Sequence, residues 1–345
     1  MDTILSGLTY LPEDKSLLLL KGRTEASKSP DLALSTFREL SEMYPEDSDI
    51  KLELANILVG AEEYDEGISL LKKLTEDCSD NCRRIELTLA AAYYKNNNKN
   101  KAGKVFEELY SSSDDAGDVF LTEIQLMAED GQWNAIWDKT KAREDILSDD
   151  VLISAANRLA GREAADAQEV SERILNRVTA RTPQNINAQV SLGMLMQMKG
   201  RHRKAVQIYT DILKKNPDAA VITNNLAWLL CEQLGEYEKA LKLTKEALEK
   251  NPEYADLIDT QGVIHYRLKE YDKSQQDLER CLDIYLSNDP SLSSTYFHLG
   301  RTMAAKGEYE KAAEKLNKAL ELNKSTEGLT EDNVQEIRSI LDDIG

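Results

Sequence analysis

Apolar residues recur at helical spacing along most of this chain, and small residues recur among them at two fixed places. From Asn187 to Leu322 the pattern is clearest. Gly193, Ala227, Gly262 and Gly300 occupy one small slot, and Ala205, Ala240, Ser274 and Ala312 occupy a second. Other positions repeat with them: Leu192, Met196, Tyr209 and Ile212 in one copy, Leu226, Leu230, Thr244 and Ala247 in the next. His265, Leu278 and Cys281, then Leu299, Met303, Leu316 and Ala319, continue the series. The period is about 34 residues, which predicts one helix–turn–helix unit copied and stacked so that each unit touches only its neighbours. The small slots mark where two antiparallel helices approach closely, and the large residues fill the space on either side.

The punctuation agrees with this reading. Asn216-Pro217 and Asn251-Pro252 end second helices, because the residue before proline is pushed out of the helical region. Gly235-Glu236-Tyr237 and Gly307-Glu308-Tyr309 are the same turn used twice. The N-terminal half repeats more faintly: Leu54-Ala55 and Leu89-Ala90 fill the first slot, and Ala33, Gly67 and Ala102 the second. Phe37, Leu71 and Phe106 each follow four residues later, and Pro45 closes the first unit. Copies therefore begin near Pro12. The pattern is poorest from Ala116 to Thr182, where Trp133 and Trp137 replace expected residues. That stretch predicts two degenerate hairpins, with an inserted helix at Ala164–Gln168. From Thr330 to Ile344, Val334, Ile337, Ile340, Leu341 and Ile344 form one apolar stripe, capped by Thr330 or Asp332. This helix is expected to cover the last repeat's apolar face. Four segments result: 1–115, 116–185, 186–324 and 325–345.

Small residues kept at both slots in four successive copies resemble the tetratricopeptide repeat. The resemblance covers most of the chain. It implies an all-α fold, a right-handed α-solenoid of about eight to nine helix pairs with a C-terminal capping helix. It also implies that the first helix of each pair lines a concave groove. The matching offsets are Asn187, Val190, Met194, Gln197 and Met198, then Asn224, Trp228 and Glu232. They continue with Asp256, Asp259, Tyr266 and Arg267, and finally Phe297 and Arg301. Each set falls on one helical stripe, and its mixture of Met and aromatic residues with Asn, Asp and Arg is that of binding hot spots. Whether Asn224 or its neighbour Asn225 faces inward depends on a one-residue register.

A known variant of the family grips a C-terminal carboxylate with lysines and asparagines. Asn56 matches one such asparagine, but Thr88 stands where the second belongs and the lysines are missing. A chaperone-tail binder is therefore not expected. Asn224–Leu230 followed by Asp259-Thr260-Gln261-Gly262 is similar to bacterial tetratricopeptide scaffolds of envelope or exopolysaccharide machinery. The function implied is a non-enzymatic scaffold that holds a peptide or helix of a partner protein. The alternative is the non-catalytic array of a larger enzyme such as a glycosyltransferase.

Charge narrows the partner. With 62 acidic and 43 basic residues the formal net charge is −19. Such a surface repels phosphate backbones and attracts basic protein segments. Nucleic acid is excluded as an expected partner, a basic peptide is favoured, and a monomer or weak self-association is expected. No apolar run approaches the roughly 18 residues that span a bilayer, so direct membrane insertion is not expected. Met1–Leu11 lacks the basic start and apolar core of a signal peptide. That slightly favours the cytoplasm for the chain as given, or the periplasm if it is a fragment of an exported protein.

Catalytic chemistry finds no support in the sequence. There is no Gly-rich phosphate loop, no Ser-His-Asp order and no HExxH. His265 is expected in the core, His202 in a turn, and His298 on a first helix where it could face the groove. Cys231 and Cys281 are expected as small core residues. Cys78 and Cys82 are expected as free thiols in a turn; the alternative, a disulfide, would argue for an extracytoplasmic protein. No further His or Cys pair lies near enough in sequence to complete a zinc site, and no metal or cofactor is expected.

Overall fold

The structure, a computed structural model, describes residues 1–78, 82–112, 116–286 and 289–344. Every regular element among them is a helix. By internal packing the chain divides into two compact units, Met1–Ile174 and Leu175–Gly345.

In the first unit α1 (Asp2–Tyr10) precedes a series of hairpins: α2 (Lys15–Ala26) with α3 (Pro30–Met43), α4 (Ser48–Gly60) with α5 (Tyr64–Glu76), and α6 (Cys82–Lys95) with α7 (Lys99–Ser112). The degenerate stretch folds as two hairpins, α8 (Gly117–Glu129) with α9 (Trp133–Ala142) and α10 (Asp149–Ala160) with α11 (Ala165–Arg181). Ala164–Gln168 is not an inserted helix. Ala165–Gln168 is the first turn of α11, and Ala164 accepts a backbone bond from Gln168. Trp137 lies between two cations, with Arg173 at 4.3 Å and Lys141 at 5.6 Å from its ring.

In the second unit the pairs are α12 (Ile186–Met198) with α13 (His202–Lys215), α14 (Ala220–Trp228) with α15 (Tyr237–Lys250), α16 (Ala255–Arg267) with α17 (Tyr271–Ile284), and α18 (Leu292–Ala305) with α19 (Tyr309–Thr326). The chain closes with α20 (Glu331–Ile344).

The small slots are places where two helices approach closely. A Cβ at Gly193 would sit 2.5 Å from the Tyr209 ring, and at Gly262 or Gly300 it would sit 2.7 Å from Leu278 or Leu316. Gly22 does the same against Phe37 at 2.5 Å, so the first repeat keeps the slot too. Each contacted residue lies four positions after the second small residue of its hairpin, which puts both on one stripe of the second helix.

The turn inside seven of the nine hairpins uses one left-handed residue. Glu62, Asn97, Gly131, Gly200, Gly235, Lys269 and Gly307 all have positive φ. Where the residue is not glycine the backbone is strained for want of Gly's freedom. Four of the first helices begin on side-chain caps: Asp14, Asp47, Ser148 and Asn185 accept N–H bonds from α2, α4, α10 and α12. These satisfy amides that the helix itself leaves free.

One copy departs from the others. From first to second small slot the separation is 12 residues in three copies (193 to 205, 262 to 274, 300 to 312). It is 13 in the fourth (227 to 240). The extra residue is absorbed as a π-helical turn, Leu229–Gln233, directly after Trp228. Such one-residue bulges in helices are frequent at functional sites.

At the C-terminus Thr330, not Asp332, caps α20. Its Oγ1 accepts from the Asn333 amide at 3.2 Å, while Asn333 Oδ1 accepts from the Thr330 amide at 3.1 Å. This is the reciprocal arrangement of a capping box, with Asn in the third position. The helix lays Ile337, fully buried, against Phe297, Leu316 and Ala319. It occupies the place that another repeat would take.

Cys78 and Cys82 are not free thiols. They form a disulfide, with Cα atoms 5.6 Å apart. Cys231 and Cys281 are buried and free.

Candidate ligand-binding face of the second unit

The groove residues expected from the sequence fall into three sets. On α12, Met194 and Met198 are 52% and 56% exposed; Asn187 is exposed too, and Val190 and Gln197 are half-buried. Exposed methionines on a helix inside a packed array are a surface that apolar groups of a partner can cover. Met194, Gln197 and Met198 line a cavity of about 530 Å³ together with Gly200, His202, Tyr209, Asn225 and Gln233. The Tyr209 ring is fully buried, and its hydroxyl has no partner among the described residues.

The second set converges. Asn224 and Trp228 from α14, Asp256, Asp259 and Thr260 from α16, and Ser294, Thr295 and His298 from α18 line one pocket of about 420 Å³. Three successive first helices supply it, each in contact with the next. Tyr285, Pro290 and Ser291 also line it, as do Gly328 and Thr330 of the α19–α20 connection and Asn333 of α20. The rim is held by Ser294, whose hydroxyl donates to Gly328 O at 2.8 Å. A Cβ on Gly328 would collide with Pro290 O and Ser293 Oγ, so only glycine lets the connection pass this close. Of the two adjacent asparagines, Asn224 shares this pocket with Trp228, and Asn225 lines the methionine cavity.

Within this pocket His298 Nδ1 and Asp259 Oδ2 are hydrogen-bonded at 2.9 Å, and both residues are buried. The indole of Trp228 packs on the imidazole, centroids 6.0 Å apart. Tyr285 donates to Asp256 Oδ1 at 2.5 Å. Burial first, then the hydrogen bond to Asp256 and the charges of Asp259 and Asp256, hold the Tyr285 hydroxyl far above the usual tyrosine range.

The third set is engaged internally. Arg267 makes a two-pronged contact with Glu232 at 2.8 and 2.5 Å. Burial raises the Glu232 carboxyl, but the bonds and charge of Arg267 with the charge of Arg301 outweigh it and leave Glu232 below the usual range. Burial and Glu232 push the adjacent Cys231 thiol up to about 12.

Phe297 and Arg301 correct the sequence expectation. Phe297 is fully buried among Leu316, Ala319 and Ile337. Arg301 is buried with its guanidinium 4.6 Å from the Tyr266 ring and 5.0 Å from Phe297, facing Glu336 of α20 at 3.9 Å. The offset rule assumes an open first helix, and α20 covers this one. His265 is in the core as expected, bound to Glu270 at 2.6 Å. Sequence reasoning missed the burial of Asp259 and His298 as a pair; the positions equivalent to His298 in the other copies (Ser191, Asn225 and Thr260) are polar as well, so position in the repeat gave no signal.

Two tetratricopeptide-repeat family models match the sequence, one over residues 255–325 and the other over 26–85 and 196–259. The chain belongs to the tetratricopeptide-repeat family and is an all-α helical solenoid of that kind. Arrays of this fold are generally non-catalytic scaffolds for protein–protein interaction. Among curated proteins none matches.

Several solved structures are similar. The thermophilic tetratricopeptide protein TTC0263 of Thermus thermophilus is 20% identical, covering 56% of this chain and 99% of that one, with TM-score 0.45. A tetratricopeptide-repeat protein from Parabacteroides merdae ATCC 43184 is 14% identical, covering 85% and 98%, with TM-score 0.46. MamA (41-end) from Desulfovibrio magneticus RS-1 is 19% identical, covering 51% and 96%, with TM-score 0.42. At such identities and TM-scores these likenesses carry no inference about binding.

Proposed function

We propose that the second unit binds an extended or helical segment of a partner protein along its first helices, from Met194 and Met198 to the Asn224–Trp228–Asp259 pocket. The observation that carries this reading is the pairing of two exposed methionines with neighbouring cavities lined chiefly by first-helix residues. A partner segment gains affinity there from several shallow contacts, which must exceed the cost of ordering it. Tyr266 and Arg267 are outside the pocket's lining, engaged with Arg301 and Glu232.

The Cys78–Cys82 disulfide supports an oxidising compartment. Together with the short likeness to envelope scaffolds at Asn224–Leu230 and Asp259–Gly262, it favours assembly machinery of the bacterial envelope or exopolysaccharide as the setting.

The test is affinity capture from extract of the source organism with wild type and a Met194→Glu/Met198→Glu variant. Both side chains are largely exposed, so the variant should match wild type in thermal stability. A protein retained by wild type alone supports the groove. Identical retention by both baits refutes it.

A further inference from the structure

We propose that the pocket lined by Asn224, Trp228, Asp256, Asp259 and His298 receives one cationic side chain, lysine or arginine, of the bound segment. The proposal rests on the groove reading above and adds what the segment must carry.

The first argument is an excess of acceptors. Asp259 is only 9% exposed; its Oδ2 is bonded to His298, but its Oδ1 is buried with no partner among the described residues. Asn224 Oδ1, on the facing helix, is buried and unpartnered as well. Buried oxygens of this kind are costly unless a donor reaches them, most of all on a carboxylate. A carboxylate can only accept, so the missing group is a donor.

The second argument is charge. Asp256 and Asp259 lie three residues apart on α16, and no Lys or Arg is among the described residues lining the pocket. His298 commits its Nδ1 to Asp259. The chain's own nearby cations are engaged elsewhere: Arg267 with Glu232, and Arg301 between Tyr266 and Phe297. The acidic field reaches the surrounding groups. Cys281 is held above its usual range by burial first and by Asp259 next, in line with the Tyr285 hydroxyl.

The third argument is the wall. Trp228 is half-buried, held by its contact with His298. Indole faces are the best aromatic partners for cations, and arginine or lysine stems pack well against them. An anionic group would face two carboxylates, and an apolar one would leave Asp259 Oδ1 without a donor. By contrast, the cavity of about 430 Å³ among α13, α14 and α15 has no buried unpartnered polar atom among its lining residues.

The experiment selects a displayed random-peptide library against the full chain, then measures the selected peptides by fluorescence anisotropy. Wild type should enrich peptides sharing one Lys or Arg at a fixed position. Replacing that residue by acetyl-lysine or citrulline should weaken binding roughly tenfold or more, as should Asp256→Asn and Asp259→Asn.

Because Asp259→Asn also disturbs the contact to His298, Asn224→Asp provides an independent arm. It adds an acceptor charge while keeping that contact, and should tighten binding of the basic peptide several-fold. Peptides that depend on Met194 and Met198 but tolerate loss of the cation, or ignore Asn224→Asp and Asp256→Asn, overturn the cation site and leave the groove standing. A selection that yields no peptide sensitive to the methionines or the pocket overturns the groove itself.

Discussion

Asp259 on α16 and His298 on α18 are hydrogen-bonded at 2.9 Å across adjacent first helices, both buried, with the indole of Trp228 packed on the imidazole. This contact ties two repeats together and at the same time fixes the floor of the pocket. His298→Leu should leave both Asp259 oxygens without partners and cost roughly 1–3 kcal/mol in urea denaturation. His298→Asn, whose amide nitrogen lies near the place of Nδ1, should recover part of that loss.

Helix–helix spacing in the repeats depends on glycine only where a neighbour fills the gap. Gly262→Leu should destabilise by about 1–3 kcal/mol, since its first carbon already meets Leu278 at 2.7 Å. Gly103→Ala, in α7 with no atom within 4 Å of the added carbon, should instead stabilise by roughly 0.5–1 kcal/mol. Thermal melts of the two variants check the contrast, and neither should show a specific binding defect.

Lys269 holds φ 61° at the α16–α17 turn, where sister copies place Gly235 and Gly307. Lys269→Gly should raise stability by about 1 kcal/mol, the scale of the left-handed penalty for a residue with a Cβ. Glu62→Gly should act similarly in the first unit. A lower melting temperature for either variant would show that the native side chain makes a compensating contact.

The Glu232 carboxyl is held below the usual 4.5 of its kind in the folded protein, as burial is outweighed by Arg267 and Arg301. Its contribution is therefore present above the unfolded value and lost as pH falls through the folded one. Glu232→Gln should be less stable than wild type near neutrality. The gap between the two denaturation midpoints should close as pH drops below 4.5. A gap that persists unchanged in acid would assign the loss to the shape of the π-helical turn and not to charge.

Much of the fold was legible in the sequence because repeats obey local rules. Gly193, Gly262 and Gly300 announce close contacts, the Asn-Pro pairs announce helix ends, and Thr330 with the stripe through Ile337 announces the last helix. Gly22 is harder to read, because 11 residues and not 12 separate it from Ala33. The π-helical turn was readable as 13 residues in place of 12 between Ala227 and Ala240.

The site was less legible. Offsets put Met194, Met198, Asn224, Trp228 and Asp259 on first helices, but they could not foresee that α20 buries Phe297 and Arg301. That depends on long-range packing of one helix on another. The pairing of Cys78 with Cys82 is likewise a matter of distance in space and of redox environment, which spacing alone leaves open.

The most direct test of the account is amide hydrogen exchange on the full chain with and without a peptide selected for binding. The account predicts added protection in Met194–Met198, Asn224–Trp228, Asp256–Thr260 and Ser294–His298, with little change on α13, α15 and α17. Protection confined to those second helices, or to the first unit, would contradict it.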